Sequence, residues 1–274
     1  YDSQGKYAFE EPLSAGFPGA TGGNRELKPE TGETTSYGVV LAPRFVEGLV
    51  FSVDYLKIDI TDAILSVSSQ NIVDKCYDSP TLANQFCSLI SRNDDPLSAQ
   101  SGGLDFLRQV LLNFGSAIYE GYDYNARYDF YAFDTAMSAS VTWSQVDQVL
   151  EIPQEGPQDN ELGEMRRPKE SAQFSLSGIR GPFGLEYSGM YLGKQTLNYE
   201  AGTEIETVMA NFGPSAFTDE IIIHNLRGSY AGDGYSIFGG VNNLTDESPY
   251  ASELAYPVSP VGRYFYLSLI HISE

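Results

Sequence analysis

The sequence predicts an all-β protein that forms part of an antiparallel transmembrane β-barrel, with about nine strands, long extracellular loops and short periplasmic turns. Three observations lead to this prediction. Apolar and polar residues alternate along many segments, several segments exceed ten residues, and the links between them are short and long in turn. The composition agrees, since 19 Tyr, 15 Phe and 27 Gly among 274 residues favour strands and turns over helices.

Alternation is clearest in the middle of the chain. Residues 137–144 place Met, Ala, Val and Trp on one side of a strand, and Ser, Ser, Thr and Ser on the other. The same pattern predicts eight further strands, at 34–43, 49–63, 122–128, 172–178, 183–191, 220–230, 235–243 and 262–270. One face of the sheet is therefore apolar, and the other is small and rich in hydroxyl groups, as in a wall between lipid and a wet interior.

The links between these strands alternate in length without exception. Short links fall at 43–48, 130–135, 180–184 and 231–234, and long links fall at 65–110, 151–169, 200–218 and 244–260. A transmembrane barrel requires this pattern because its short turns all lie on one side of the bilayer, whereas a Greek-key sandwich mixes lengths at both ends. Since nine strands would leave two open edges in lipid, we expect the barrel to need further strands.

Charge and cysteine content narrow the possible functions. The formal net charge of −21 argues against a nucleic-acid partner. Cys76 and Cys87 lie 11 residues apart with no His nearby, which favours a disulfide in an oxidising compartment over a metal site. The sequence has no phosphate loop, Gly-x-Ser-x-Gly motif or metal-ligand cluster, so we predict no catalysis and no cofactor.

The longest link, 65–110, is predicted to have structure of its own. Ser79 and Pro80 match the start of a helix, and Leu82, Phe86, Leu89 and Ile90 follow at helical spacing. The disulfide would tie this helix back to Cys76. Residues 104–112 fit a helix or a strand, and the pattern does not decide between them.

Several motifs occur in the order found in one membrane-protein family. Residues 24–30 (NRELKPE) precede 36–39 (SYGV), and 48–55 (GLVFSVDY) begin the next strand. Residues 121–123 (GYD), 240–246 (GVNNLTD) and the pair Gly262-Arg263 follow at the expected distances. Together these residues resemble the C-terminal part of the barrel of TonB-dependent outer-membrane receptors. In that family the last strand usually closes with an aromatic residue, whereas this chain runs on through His271 to Glu274.

The resemblance implies energy-coupled uptake of a scarce solute across the outer membrane of a Gram-negative bacterium. The solute would be an iron–siderophore complex, cobalamin or an oligosaccharide. The implied partners are the lipid bilayer, an N-terminal plug domain, the preceding barrel strands and the TonB complex. The chain opens on Tyr1 without an initiator Met, so we expect plug and TonB contact to lie in an earlier part of a longer precursor.

Ligand contacts are predicted in the long loops. The candidates are aromatic and acidic residues, namely Tyr77, Phe86, Asp94, Asp95 and Phe217. Packing of the loop on itself is an alternative for the aromatic residues, and a solvated surface is an alternative for the carboxylates. Two other functions remain open at this point: a passive outer-membrane porin, and a soluble extracellular β-protein that binds carbohydrate.

Overall fold

A computed structural model describes residues 18–97, 101–113, 115–153, 158–197, 203–249 and 261–271. Nine long strands dominate the chain. They are β1 (Thr31–Leu41), β2 (Leu49–Thr61), β3 (Gly115–Ala132), β4 (Thr135–Pro153), β5 (Glu170–Arg180), β6 (Phe183–Leu192), β7 (Ile221–Gly232), β8 (Tyr235–Asn242) and β9 (Tyr264–His271). Each of the nine segments predicted from alternation corresponds to one of these strands.

The nine strands form one sheet in the order of the sequence. Each long strand pairs with the long strand before it and the one after it, and the short strand Asp159–Asn160 pairs with the end of β4. From β4 onward the ladders are antiparallel and in continuous register, with Phe174 opposite Val141 on one side and Gly189 on the other. Among the described residues the sheet does not close, and β1 and β9 are its two edges.

The short connections occur where the sequence predicts them. Two-residue turns join β3 to β4 at Phe133–Asp134, β5 to β6 at Gly181–Pro182, and β7 to β8 at Asp233–Gly234. Phe133 and Asp134 both have positive φ, 53° and 56°, which is the backbone of the tightest hairpin turn and matches the twist of the strands. A seven-residue link, 42–48, joins β1 to β2, and the long connections lie at the opposite strand ends, as predicted.

The two faces of the sheet differ in chemistry. On the polar face, Ser140 Oγ lies 2.8 Å from Ser175 Oγ, and the Thr142 hydroxyl donates to Asn125 Oδ1 over 2.8 Å. On the apolar face, aromatic rings pair across strands, with centroid distances of 4.6 Å for Tyr37–Tyr55, 5.4 Å for Trp143–Tyr191 and 5.1 Å for Phe183–Tyr230. Hydroxyl groups thus satisfy one another on one face, and the other face is left apolar.

The remaining elements are short and lie in the long connections. The helices are α1 (Ser69–Tyr77) and α2 (Ile205–Phe212), with 3₁₀ turns at Cys87–Leu89 and Gly213–Ala216. The other strands are Gly19–Gly22, Ile64–Ser66, Ile90–Arg92, Leu104–Asn113, Gln195–Thr196 and Phe217–Thr218. Residues 104–112, which the pattern left undecided, are therefore in a strand. None of the helices in the described ranges has the length and apolar character needed to span a bilayer.

The chain divides into two compact units. The first, which we call the loop unit, contains residues 18–31 and 61–116 within the described ranges, and the second, the sheet unit, contains 32–60 and 117–271. The loop unit has its own small core. Its buried members are Val67, Ile72, Cys76, Phe86, Leu89, Leu107 and Leu112.

The helix predicted to begin at Ser79-Pro80 is wrong in position. The observed helix α1 ends at Tyr77, two residues before the predicted start, because Asp78 closes it and Pro80 disfavours helical backbone in the residue before it. The side chain of Ser68 caps the true start by accepting from the Asn71 amide over 3.1 Å. Cys76, not Cys87, therefore lies on the helix.

Candidate ligand-binding loops

The disulfide fixes the end of α1 to the turn that follows it. Cys76 and Cys87 are bonded, so the predicted pair is present. Cys87 begins the 3₁₀ turn that leads into the strand Ile90–Arg92, and Phe86 beside it is 4% exposed in the loop core. The bond closes a short loop around residues 77–86, which restricts the unfolded chain and stabilises the loop unit.

Arg92 joins α1 to the turn around residue 102. Its guanidinium lies over the ring of Tyr77 at 4.9 Å and donates to the hydroxyl of the same residue. A second bond runs from the guanidinium to the carbonyl of Gly102 over 2.6 Å. One half-buried cation therefore connects three parts of the loop unit, through a cation–π contact and charge-assisted hydrogen bonds.

The five residues predicted to contact ligand lie in different surroundings. Phe86 is in the loop core and Tyr77 is engaged by Arg92, while Asp94 and Asp95 are exposed. One carboxylate oxygen of Asp95 accepts from the amide of Leu97 over 2.9 Å, which shapes the turn. Phe217 belongs to the sheet unit, where it is half-buried in a ladder opposite Thr196. Their role in ligand binding stays a prediction.

Asn113 is a structural residue that the sequence did not single out. Its side-chain oxygen accepts from the amide of Lys28 over 2.8 Å, and its side-chain nitrogen donates to the carbonyls of Lys28 and Asp62 over 2.9 and 2.7 Å. Nearby, one carboxylate oxygen of Glu30 accepts from the amide of Ile64 over 2.6 Å. The NRELKPE segment is thus hydrogen-bonded to both ends of the long connection between β2 and β3, which gives this motif a structural role.

In the sheet unit, a second loop structure is built on the ladder between Gln195–Thr196 and Phe217–Thr218. Gln195 is buried, and its side-chain oxygen accepts from the amide of Arg166 over 2.7 Å. The backbone of Arg166 has φ of 74°, an uncommon conformation for a residue with a side chain. The buried amide therefore holds a strained turn, and the guanidinium of Arg166 is left on the surface.

An acidic group lies where β4 meets the strand Asp159–Asn160. Burial raises the pKa of Glu151, and the nearby carboxylates of Glu161 and Asp159 raise it further, while Arg167 opposes them. Burial also raises the pKa of Asp159, again opposed by Arg167. Arg167 also forms an ion pair with Glu161. This strand end is therefore sensitive to protonation.

The helix α2 presents an apolar stripe to solvent. Ile205, Met209 and Phe212 are exposed and recur at the spacing of one helix face, whereas Val208 beside them is buried. Arg166 was not among the sequence candidates, since nothing in the local pattern separates it from ordinary loop residues, whereas Glu151, Asp159 and Glu161 are among the acidic loop residues that the sequence offers as possible ligand contacts.

Comparison with known proteins identifies the family. A family model described as "TonB dependent receptor-like, beta-barrel" matches residues 2–244. The chain belongs to the TonB-dependent receptor β-barrel family. The resemblance seen in the motifs and the fold predicted from alternation are both confirmed. No curated protein matches the sequence.

Solved TonB-dependent receptors have the same fold over most of the chain. A ferric enterobactin receptor mutant from Pseudomonas aeruginosa, solved in complex with enterobactin, aligns with a TM-score of 0.60 and 18% identity over 91% of this chain. The siderophore receptor PirA from Acinetobacter baumannii gives 0.56 and 18% over 91%, and the FrpB iron transporter from Neisseria meningitidis gives 0.52 and 13% over 92%. The chain spans 32% of the length of each of these three structures.

Proposed function

We propose that this chain forms the last strands of an outer-membrane receptor that imports a scarce solute with energy supplied through TonB. The solute class is an iron–siderophore complex, cobalamin or an oligosaccharide. The observation that carries the proposal is the sheet itself. Nine consecutive antiparallel strands have one apolar and one hydroxyl-rich face, with short turns at one end and longer connections at the other.

The apolar face is suited to lipid. Phe265, Leu267 and Leu269 alternate along β9 and are about two-thirds exposed or more, so the described part of the chain does not cover them. In water such a face would be unfavourable, since each exposed apolar side chain lacks the free energy that it would gain from burial. In a bilayer the same side chains are solvated by hydrocarbon, and the Phe183–Tyr230 pair beside the short turns would lie at the depth of the head groups.

Folded loops support a receptor more than a passive porin. A strand needs about ten residues to cross a bilayer, whereas β3 and β4 have 18 and 19. The excess carries these strands beyond the membrane on the side of the long loops. The loop unit, with its own core and disulfide, offers a rigid surface for ligand, and preorganised surfaces bind at lower entropic cost.

Localisation is the first test of the proposal. The full-length protein should sediment with outer membranes in a sucrose gradient and migrate faster in gel electrophoresis when unheated than when heated, as folded barrels do. Recovery in the soluble fraction would contradict the proposal and favour the extracellular carbohydrate-binding protein.

Energy coupling is the second test. Uptake of single iron and carbon sources should be compared in the wild type, in a strain that lacks the receptor and in one that lacks TonB. We expect loss of growth on one solute in both mutants. Uptake that persists without TonB, with conductance in planar bilayers, would indicate the passive porin instead.

A further inference from the structure

A groove of 410 Å³ lies on the apolar face of the sheet unit, beside the turns that join β3 to β4 and β5 to β6. Its walls are mainly apolar, and its main lining residues are Met137, Leu176, Gly178, Phe183, Leu185 and Tyr187. All six lie on the apolar side of their strands by alternation, so the groove faces the same way as the exposed leucines of β9. This follows from register, since Gly178 is opposite Met137 on one side and Leu185 on the other.

Gly178 is the floor of the groove. A Cβ atom built on this residue would meet only Thr135 Cγ2 at 3.1 Å and Met137 Cγ at 3.9 Å. A longer side chain at this position would extend into the space between Leu176 and Arg180, the next residues on the same face. The depression thus exists because one outward position in β5 has no side chain.

The end of the groove near the turns has a different character. Arg180 lines it there, and Nη2 of its guanidinium lies 3.6 Å from a carboxylate oxygen of Asp134. Phe133, at the tip of the turn, also lines the groove and is 90% exposed in its left-handed backbone conformation. A bulky residue in this conformation is strained, and such strain often accompanies function. The aromatic ring of Phe133 and the guanidinium of Arg180 therefore lie together at one end of the apolar groove.

We propose that this groove binds one acyl chain of a phospholipid from the periplasmic leaflet, with the lipid phosphate held by Arg180. This inference rests on the proposed function, because it requires the apolar face to lie in the outer membrane with the short turns toward the periplasm. In that orientation Arg180 and Phe133 lie at the depth of the head groups, where aromatic rings and cations are stable. The segment of β5 from Leu176 to Arg180 is about 13 Å long, and part of an acyl chain can lie along this length.

Charge selects the head group. The planar guanidinium binds phosphate oxygens through paired hydrogen bonds. The contact with Asp134 competes only weakly, because both groups are mostly exposed and such pairs contribute little. A phospholipid satisfies both ends of the groove at once, whereas free phosphate would leave the apolar walls unfilled.

Two variants and a matched control test the site in the full-length receptor. Gly178→Leu fills the groove, and Arg180→Gln removes the positive charge while keeping hydrogen-bond donors. Gly228→Leu is the control, since Gly228 lies on the same face in β7, outside the groove, with nothing within 4 Å of an added Cβ. Heat-modifiable migration shows that each variant is folded.

The measurement is native mass spectrometry of the detergent-purified receptor titrated with phosphatidylglycerol, and with diacylglycerol of the same acyl chains. We expect the wild type and Gly228→Leu to retain one phosphatidylglycerol. Gly178→Leu should bind it at least tenfold more weakly, and Arg180→Gln should lose the preference for phosphatidylglycerol over diacylglycerol.

Equal lipid retention by Gly178→Leu and the wild type, in a receptor that sediments with outer membranes, would overturn the lipid site and leave the proposed function intact. Equal weakening in Gly178→Leu and Gly228→Leu would also overturn it, because the lipid would then be a general annulus. If millimolar inorganic phosphate alone displaces the phosphatidylglycerol, Arg180 binds a free anion, and the phospholipid site is overturned. A protein in the soluble fraction would overturn both proposals together.

Discussion

The loop unit and the sheet unit bury their apolar residues in opposite ways. In the loop unit Ile72 is 0% exposed, and the residues around it make a dry core closed by a disulfide. In the sheet unit Leu267 is 81% exposed, although it lies in a regular strand. The loop unit therefore resembles a small soluble domain in its energetics, whereas the sheet unit has an apolar face and two strand edges that the described residues leave uncovered.

The difference suggests that the two units respond to different perturbations. A change inside the loop core should leave the sheet intact, and a change on the apolar face should leave the loop core intact. Four variants, ordered from the largest expected effect to the smallest, test this separation in the full-length receptor.

Ile72→Ala should have the largest effect, because it creates a cavity at a fully buried position of the loop core. We expect the loop unit to lose about 2–5 kcal/mol of stability, with no change in the strands. Hydrogen exchange of the receptor in nanodiscs measures both units at once. Leu82→Ala, at an exposed position of the same unit, is the control and should change little. Equal loss of protection in β5 and β6 would show that the units are not separate.

Leu267→Arg tests the sheet from the other side. A cation on the lipid face near the middle of the bilayer costs about 2–4 kcal/mol, so we expect less folded receptor in the outer membrane. Ser268→Arg places the same charge on the polar face one residue away and should be better tolerated. The amount of heat-modifiable receptor in outer membranes measures the difference. If both variants accumulate alike, the two faces have been assigned wrongly.

Removal of the disulfide should affect the loop unit alone. In Cys76→Ser/Cys87→Ser the closed loop of about 12 residues is released, which corresponds to about 2–3 kcal/mol of loop-closure entropy. We expect faster proteolysis between residues 77 and 90 with unchanged outer-membrane assembly. Single Cys→Ser variants serve as controls for a free thiol. A failure of assembly in the double variant would mean that the loop unit is needed to fold the sheet.

The same contrast explains what the sequence could predict. The strands of the sheet unit are encoded by neighbouring residues, since alternation indicates which face of the sheet a side chain lies on, and nine strands with their short turns follow from it. The loop unit is encoded by distant contacts. Asn113 binds Lys28 and Asp62, 85 and 51 residues away, and no local pattern marks it.

The helix in the loop unit was predicted at the wrong position because the local sequence rule conflicts with contacts made elsewhere in the unit. The rule for proline at the first helical turn fits Ser79-Pro80, and apolar residues follow at helical spacing. Ser68 caps an earlier start, however, and the disulfide closes the segment 77–86 into a turn in the core. The long-range constraint thus overrode the local preference. Ligand contacts could not be assigned for the same reason, because they depend on how distant loop residues are brought together.

The smallest expected effect is one of pH, at the strand end in the sheet unit that carries Glu151 and Asp159. The raised pKa values mean that the folded state holds these protons more tightly than the unfolded state, whose carboxyl groups titrate near 4.5 and 3.8. Folding of this end is therefore favoured at low pH, and the advantage is lost as pH rises through the raised pKa values. We expect amide protection around Leu150 and Asn160, corrected for intrinsic exchange, to fall as the pH is raised from about 4. Glu151→Gln/Asp159→Asn should flatten this dependence, while Asp94→Asn in the loop unit should leave it unchanged. A dependence that persists in the double variant would place the titrating group elsewhere, and parallel loss of protection in the loop core would show that the two units are coupled.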